Sequence, residues 1–396
     1  MPEKYNHLII GGGIVGLSVG LEILKKYPNA RVLLVDKEEK TGMHASGRNS
    51  GVLHAGFYYS PDSLKAKFCL QGNLELREMI AADAIPLNEC GKVVVAQNEE
   101  DLVRLEALFE RGITNNVNLE LLPEADLARI EPLAKTFKKF LWSPTTAVSN
   151  PELVTDSIKK RYFKYGGQIR INARASLNKD GGLSLNGKDI EADKIINAAG
   201  TGAIHLAHSA GVGHDYSQLP VLGLYKITPR ENLPLSRLVY PVPNPKNPFL
   251  GVHFTLTVDG SVKIGPTAIP VFGREQYAFQ NLPDLLDIRS SASSLLAMLK
   301  DSPKNLINLA VTELPKISLR VLTEGGSVLV PSSNSKIAWK SKKPGMRAQL
   351  VNTTTGKFEM DYVVRKHENQ VHILNAVSPG WTSSLPFARW IVSEYL

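Results

Sequence analysis

Short apolar runs alternate with amphipathic stretches along most of the chain, a rhythm that predicts repeated strand–helix units. Leu8–Ile10 reads as a strand, followed by a helix over Ile14–Tyr27 with Leu17, Leu21 and Leu24 on one face. Arg31–Val35 is a second strand. Helices are expected from Pro61 to about Asp83 and over Glu99–Gly112, with a strand at Gly91–Gln97 between them. Asn150-Pro151 opens a helix running to Tyr165, since asparagine caps and proline suits the first helical position. Gln168–Asn172, Leu183–Leu185 and Asp193–Ala198 are further strands. The last delivers Asn197-Ala-Ala-Gly-Thr-Gly202 and a helix ending near Gly211.

From Pro220 to about Lys343 the texture changes. Prolines at 229, 234, 241, 243, 245 and 248 interrupt long elements, while alternation in Gly251–Thr257 and Ser261–Gly265 predicts antiparallel sheet. One helical stretch, Leu282–Lys300, sits within it. Val371–Asn375 then returns as a buried strand, followed by Ser378-Pro-Gly-Trp-Thr-Ser-Ser-Leu385 and a final helix. The expected fold class is α/β: a discontinuous Rossmann-like dinucleotide-binding domain with an inserted, mainly antiparallel α+β substrate domain. The expected boundaries are 1–90, 145–218 and 344–396 for the first, and 91–144 and 219–343 for the second.

The strongest chemical signal lies at the first strand–helix junction. Gly11, Gly13 and Gly16 form G-x-G-x-x-G between them. That spacing permits a tight turn, close backbone approach to a pyrophosphate, and close packing of helix on strand. Asp36 ends the second strand, twenty residues after Gly16, where a carboxylate can accept a ribose hydroxyl. A glycine turn that serves packing alone is the plainer alternative. No second fingerprint follows, because Gly200-Thr-Gly202 continues to His205. A nicotinamide cosubstrate is therefore not expected, and electrons would leave to a quinone, oxygen or a carrier protein.

Composition narrows the setting. The chain has 396 residues, of which 43% are hydrophobic and 21% charged, with only two cysteines and a net charge of +8. Cys69 and Cys90 build no disulfide framework and show no metal-ligand spacing, so no metal site is expected. Basic residues are scattered apart from Lys159-Lys160-Arg161 and Lys340–Lys343, which argues against nucleic acid. An anionic substrate, an anionic membrane surface touched peripherally, or plain solvation each explains the excess charge. No run approaches the roughly 18–20 apolar residues of a membrane span. The first strand begins at about residue 6, which leaves no room for a leader, so a cytoplasmic location is expected, with contact at the inner membrane face as a variant.

Four separated segments carry a family resemblance: His44–Cys69, which contains His44-Ala-Ser-Gly-Arg-Asn-Ser-Gly-Val-Leu-His54; Val239–Tyr277, with Tyr240-Pro-Val-Pro243 and Phe249-Leu-Gly-Val-His-Phe-Thr255; Gly345-Met-Arg-Ala-Gln349; and Asn375–Leu385. Together they resemble the L-2-hydroxyglutarate oxidase/dehydrogenase group of the FAD-dependent D-amino-acid oxidase superfamily, essentially end to end. The sequence departs from that pattern at Ala45, Ser46 and Arg48. The resemblance implies an extended FAD contacting Gly11, Gly13, Gly16, Asp36 and Lys37 at its adenine end. Ser46, Asn49, Ser50, Gly51, Ala199, Gly200, Gly380, Thr382 and Ser383 would lie along the rest.

Oxidising a 2-hydroxy acid moves a hydride to flavin while a base takes the hydroxyl proton, and histidine suits that base. His54, in the flavin loop, and His253, on the Gly251–Thr257 strand, are the candidates. A structural hydrogen-bonding role for either, and covalent flavin attachment at His54, stay open. A dianionic substrate calls for arginine forks, and Arg347 and Arg274 lead, followed by Tyr59, Tyr58, Lys65 and Tyr225. An amino acid or another 2-hydroxy acid is the alternative substrate, and a flavin-binding sensor without turnover the alternative class.

Overall fold

The computed structural model describes residues 3–396 apart from Lys246 and Pro248, and only the backbone of Asn305. The proline expected at position 248 therefore lies outside the described residues. Two sheets organise the chain. The first runs Val363–His367, Gln370–Asn375, Glu191–Asn197, Lys4–Ile10, Val32–Val35, Gln168–Arg170, and is parallel except for its antiparallel first pair. Parallel strands are covered on both faces, which explains why Val32–Val35 is buried throughout. On one face Ile9 and Leu34 meet Leu17 and Leu21 of the helix Ile14–Lys26, together with Val154, Ile158, Phe387 and Ile391. On the other, Leu8, Ile10, Leu33 and Val35 pack on Leu177 and Leu185 of a small antiparallel sheet. The chain leaves the central strand first to one side and later to the other. That reversal opens a crevice at the carboxyl ends of the strands, the usual ligand position in such sheets.

The second sheet has eight strands, in the order Lys340–Ser341, Lys226–Thr228, Val262–Gly265, His253–Leu256, Leu238–Pro241, Lys92–Val95, Lys139–Ser143, Glu120–Pro123. It is antiparallel except where Leu238–Pro241 runs parallel to Lys92–Val95. The fold class read from the sequence, a Rossmann-like parallel sheet joined to a mainly antiparallel one, is the one observed. A third, three-stranded sheet joins the two. Its core is the ladder of Tyr216–Gly223 on Gly345–Asn352, paired along eight residues, and the sequence carried no sign of it.

Local capping explains several helix starts. Asn150 caps Pro151–Lys164 as expected, its Oδ1 accepting from Glu152 N and Leu153 N. The helix expected from Pro61 begins instead at Leu64. Ser63 caps it through Ala66 N, and the Asp361 carboxylate accepts from Leu64 N and Lys65 N. The single helical stretch expected over Leu282–Lys300 is the first of three, Leu285–Asp301, Pro303–Glu313 and Leu319–Ser327. Pro303 cannot continue the preceding hydrogen-bond ladder, so it restarts the chain as a new helix.

The helix Leu64–Ala82 presses directly on the C-terminal turn. A Cβ on Gly72 would lie 2.2 Å from Thr382 O. Gly72→Ala is expected to lower stability by about 1–3 kcal/mol through overpacking. Urea unfolding measures this, and parental stability would mean that the turn retreats freely.

Candidate active site

A single cavity of about 670 Å³ runs from the carboxyl ends of the parallel strands to the join with the second sheet. Its first end is built by the glycine turn. Gly11 has φ +111°, and a Cβ there would sit 2.4 Å from Ala198 O, so only glycine fits. Gly13 lines the cavity, and its absent side chain leaves a cradle bounded by Ser46 Oγ. Gly16 stays off the wall: a Cβ would lie 2.0 Å from Gly11 O, so it closes helix on strand.

Asp36 and Lys37 line the same end. Asp36 accepts from Gly12 N at 2.7 Å and Glu38 N at 2.9 Å, bracing the turn while it faces the cavity. The Lys37 ammonium is held by Glu38 and by Glu275 at 2.7 Å, so its charge is already answered. Glu38, His44 and Glu275 come within 4.8 Å of one another, but Lys37 bonds both of their carboxylates.

The middle of the wall is backbone and small side chains. Ser46 Oγ accepts from Ile14 N at 2.9 Å, so it shares the helix N-terminus with whatever anion binds there. Asn49 staples its own loop, donating to Ser46 O at 2.8 Å and accepting from Gly51 N at 2.8 Å. Ser50, Ala199 and Gly200 line the cavity; Gly51 packs beneath, where a Cβ would be 2.3 Å from Ser149 O. An elongated dinucleotide fits this set: a cradle that a Cβ would narrow, free helix N–H groups, and a carboxylate at the second strand. Arg48 donates to Met43 O at 2.8 Å and lies 4.1 Å from the centre of the Tyr277 ring, which fastens the flank of the loop.

At the far end, Gly380 and Thr382 line the cavity, whereas Ser383 sits behind it with a buried Oγ. Thr382 Oγ1 donates to Val52 O and accepts from His54 N, each at 3.2 Å. The C-terminal turn and the His54 loop are thereby one unit.

The structure brings His54, His253 and Arg347 to this cavity. His54 Nδ1 is buried without a partner among the described residues. Burial, then the charges of Lys92 and His253, hold its pKa well below the ordinary value, so the ring is neutral. His253 Nδ1 lies 2.8 Å from Gly251 O, which can only accept, so Nδ1 carries the hydrogen. Its ring stacks on Tyr240 at 3.9 Å, and burial pushes its pKa down to about 3.

Arg347 projects from the joining ladder and donates through Nε to Gln349 Oε1 at 2.8 Å. Burial lowers it only to about 10, so it stays charged, and no carboxylate pairs with it among the described residues. Lys65 is buried beside it, brought down to about 7 by burial and then by the Arg347 charge. Tyr59 does not line the cavity; its hydroxyl lies behind, between Ser378 and Arg347.

Arg274 is the correction. It touches the cavity wall, but its guanidinium is committed to Asp284 at 2.9 Å and Asp287 at 3.4 Å. It therefore offers no free second fork opposite Arg347. Sequence reasoning also missed Lys92, whose signal was a lysine opening the apolar run Lys92–Val95.

A neutral imidazole and an unanswered guanidinium on the wall of one cavity can take a proton from a hydroxy acid and hold its carboxylate. Known proteins resemble this chain over nearly its whole length. The L-2-hydroxyglutarate dehydrogenase of Salmonella houtenae is 34% identical, over 98% of this chain and 93% of its own length. The mitochondrial L-2-hydroxyglutarate dehydrogenase of Mus musculus is 31% identical, over 97% and 87%. The solved L-alpha-glycerophosphate oxidase of Mycoplasma pneumoniae, with FAD bound, superposes with a TM-score of 0.76 at 25% identity, over 98% of this chain and 94% of that one. The DAO family of FAD dependent oxidoreductases matches residues 6–394, and the chain belongs to it.

Proposed function

We propose that the chain oxidises L-2-hydroxyglutarate to 2-oxoglutarate with FAD. The observation that carries this is Arg347, a half-buried guanidinium on the cavity wall with no carboxylate to answer it among the described residues. Buried charges are ordinarily paired, and a substrate carboxylate is the missing partner. Lys65, buried next to Arg347 but behind the cavity wall, adds positive charge at longer range. The relatives' names support the same substrate.

In this reading Gly11, Gly13 and Asp36 hold the adenosine half of FAD. Ser46, Asn49, Ser50, Ala199, Gly200, Gly380 and Thr382 flank the remainder. FAD supplies the hydride acceptor when bound. Arg347 grips one carboxylate in fork geometry, with Tyr59 supporting it from behind. His54, which lines the cavity, takes the hydroxyl proton. His253 is held neutral against Tyr240 and packs on the cavity wall beside the substrate. The parallel sheet and its helices form the FAD-binding domain, and the eight-stranded sheet forms the substrate domain.

For the electron acceptor we favour a membrane quinone. Leu285, Ile288, Leu296 and Leu299 lie exposed at helical spacing, and Ile307 and Val311 continue the apolar surface on the next helix. Arg289, Lys300 and Lys304 are exposed on the same two helices. Apolar surface beside basic residues suits an anionic bilayer face. No helix among the described residues is long and apolar enough to cross a membrane, so the contact would be peripheral.

Three measurements check this reading. Without oxygen, L-2-hydroxyglutarate is expected to bleach the visible flavin absorbance, while glutamate and the D-enantiomer leave it unchanged; a spectrum unmoved by the L-acid removes the substrate assignment. Arg347→Ala is expected to lower kcat/KM by the equivalent of about 2–5 kcal/mol, mainly through KM, with flavin content unchanged. The protein is expected to co-sediment with vesicles rich in anionic lipid and to be released by Leu296→Ser combined with Ile307→Ser. Equal recovery with neutral vesicles would eliminate the electrostatic part.

A further inference from the structure

One buried amide holds the arginine of the cavity. Gln349 follows Arg347 by two residues on the joining ladder, so the two side chains share a face. Gln349 is 1% exposed, and its Oε1 accepts from Arg347 Nε at 2.8 Å. Its Nε2 donates to Leu350 O at 3.2 Å and to Glu359 O at 3.0 Å. Both of those carbonyls can only accept, so the amide nitrogen must face them and the oxygen is left to face the arginine. Glu359 is fixed in its turn. Its N donates to Leu350 O at 2.9 Å, and its O also accepts from Asn375 Nδ2 at 3.3 Å. Backbone, not the arginine, therefore sets the direction of the amide. An apolar side chain would fill this buried position without making any of the three bonds.

From this geometry we infer that Gln349 is a positioning residue for the substrate: by occupying Nε it leaves the two terminal nitrogens of Arg347 as the fork for a carboxylate. The inference rests on the reading of Arg347 as the carboxylate ligand.

A guanidinium can meet a carboxylate through Nε and one terminal nitrogen, or through both terminal nitrogens. Nε has a single N–H, and Gln349 has taken it, so the first edge is closed. Among the described residues no other group accepts from the guanidinium, so the second edge is open. Phe249, which also lines the cavity, has its ring centre 5.4 Å from the guanidinium carbon and supports the cation from its face. A free arginine gives up rotamer freedom when it binds; one already fixed does not. The amide thus acts on affinity for the acid, and KM moves while kcat stays.

Glutarate, which carries two carboxylates but no hydroxyl to oxidise, is titrated into the FAD-loaded protein, and Kd is read from the visible flavin spectrum. Gln349→Met keeps the length of the side chain and removes the amide. Arg347→Lys keeps a cation and removes the Nε–H. With Arg347 in place, Gln349→Met is expected to raise Kd about tenfold, equivalent to about 1.4 kcal/mol, with full flavin content. In the Arg347→Lys background the same substitution is expected to change Kd by less than about threefold, because the bond it removes is already gone. Equal weakening in both backgrounds overturns the inference, as does an unchanged Kd with Arg347 in place. If Gln349→Met does not retain flavin, Gln349→Leu takes its place in the same cycle. If Arg347→Lys binds no glutarate, turnover decides: a KM raised about tenfold at constant kcat supports the inference, and any other division overturns it. An Arg347→Lys protein that binds glutarate as tightly as the parent removes the reading of Arg347 itself, whereas a failure of Gln349 alone leaves that reading standing.

Discussion

The site depends on one ladder, Tyr216–Gly223 paired antiparallel with Gly345–Asn352. It lies between a sheet built for a dinucleotide and a sheet built to cover a second molecule. Arg347 pairs with Val221 in its register, and both line the cavity, as do Gly223 and Gly345 at one end. A slip of one residue would turn Arg347 to the opposite face of the ladder and away from the cavity. The eight paired residues therefore fix the position of the guanidinium more firmly than any contact of its own side chain.

Near that ladder the protein gathers positive charge with little acid to balance it. Lys65 and Lys92 are buried and Arg347 half-buried; Asp361 and Glu359 offset part of the Lys65 charge, and several carboxylates serve the backbone. Asp361 caps a helix, Glu131 accepts from Ser236 N and Arg237 N, and Glu313 accepts from Ala268 N. An unpaired cation on the cavity wall, as Arg347 is, calls for an anion to complete it.

What the sequence made legible was the local part. Gly11, Gly13, Gly16 and Asp36 were readable because strand, turn and helix impose their spacing over a short span. His54 was readable from its loop. Arg347 stood out through the Gly345–Gln349 resemblance rather than through any physical pattern. The joining ladder was hidden because its strands are more than a hundred residues apart and Pro220 interrupts one of them. Arg274 looked free because its partners, Asp284 and Asp287, read as ordinary first-turn acids of the next helix. Lys92 was passed over because a lysine at the start of an apolar strand reads as an exposed edge. Only the rings of Tyr58 and Tyr240, brought in from distant segments, reveal that it is enclosed.

Thr382 gives the chain a temporal order. Its hydroxyl links Val52 O and His54 N across more than three hundred residues, so the imidazole loop, held earlier by Asn73 and by pairing with Ala147–Val148, gains its last hold only when the final turn has been made. A nascent chain can pair Lys4–Ile10, Val32–Val35, Gln168–Arg170 and Glu191–Asn197 from earlier segments, yet its imidazole loop takes its final hold only as synthesis ends. Chains truncated before that turn would keep the glycine cradle but lack the Thr382 clamp on His54.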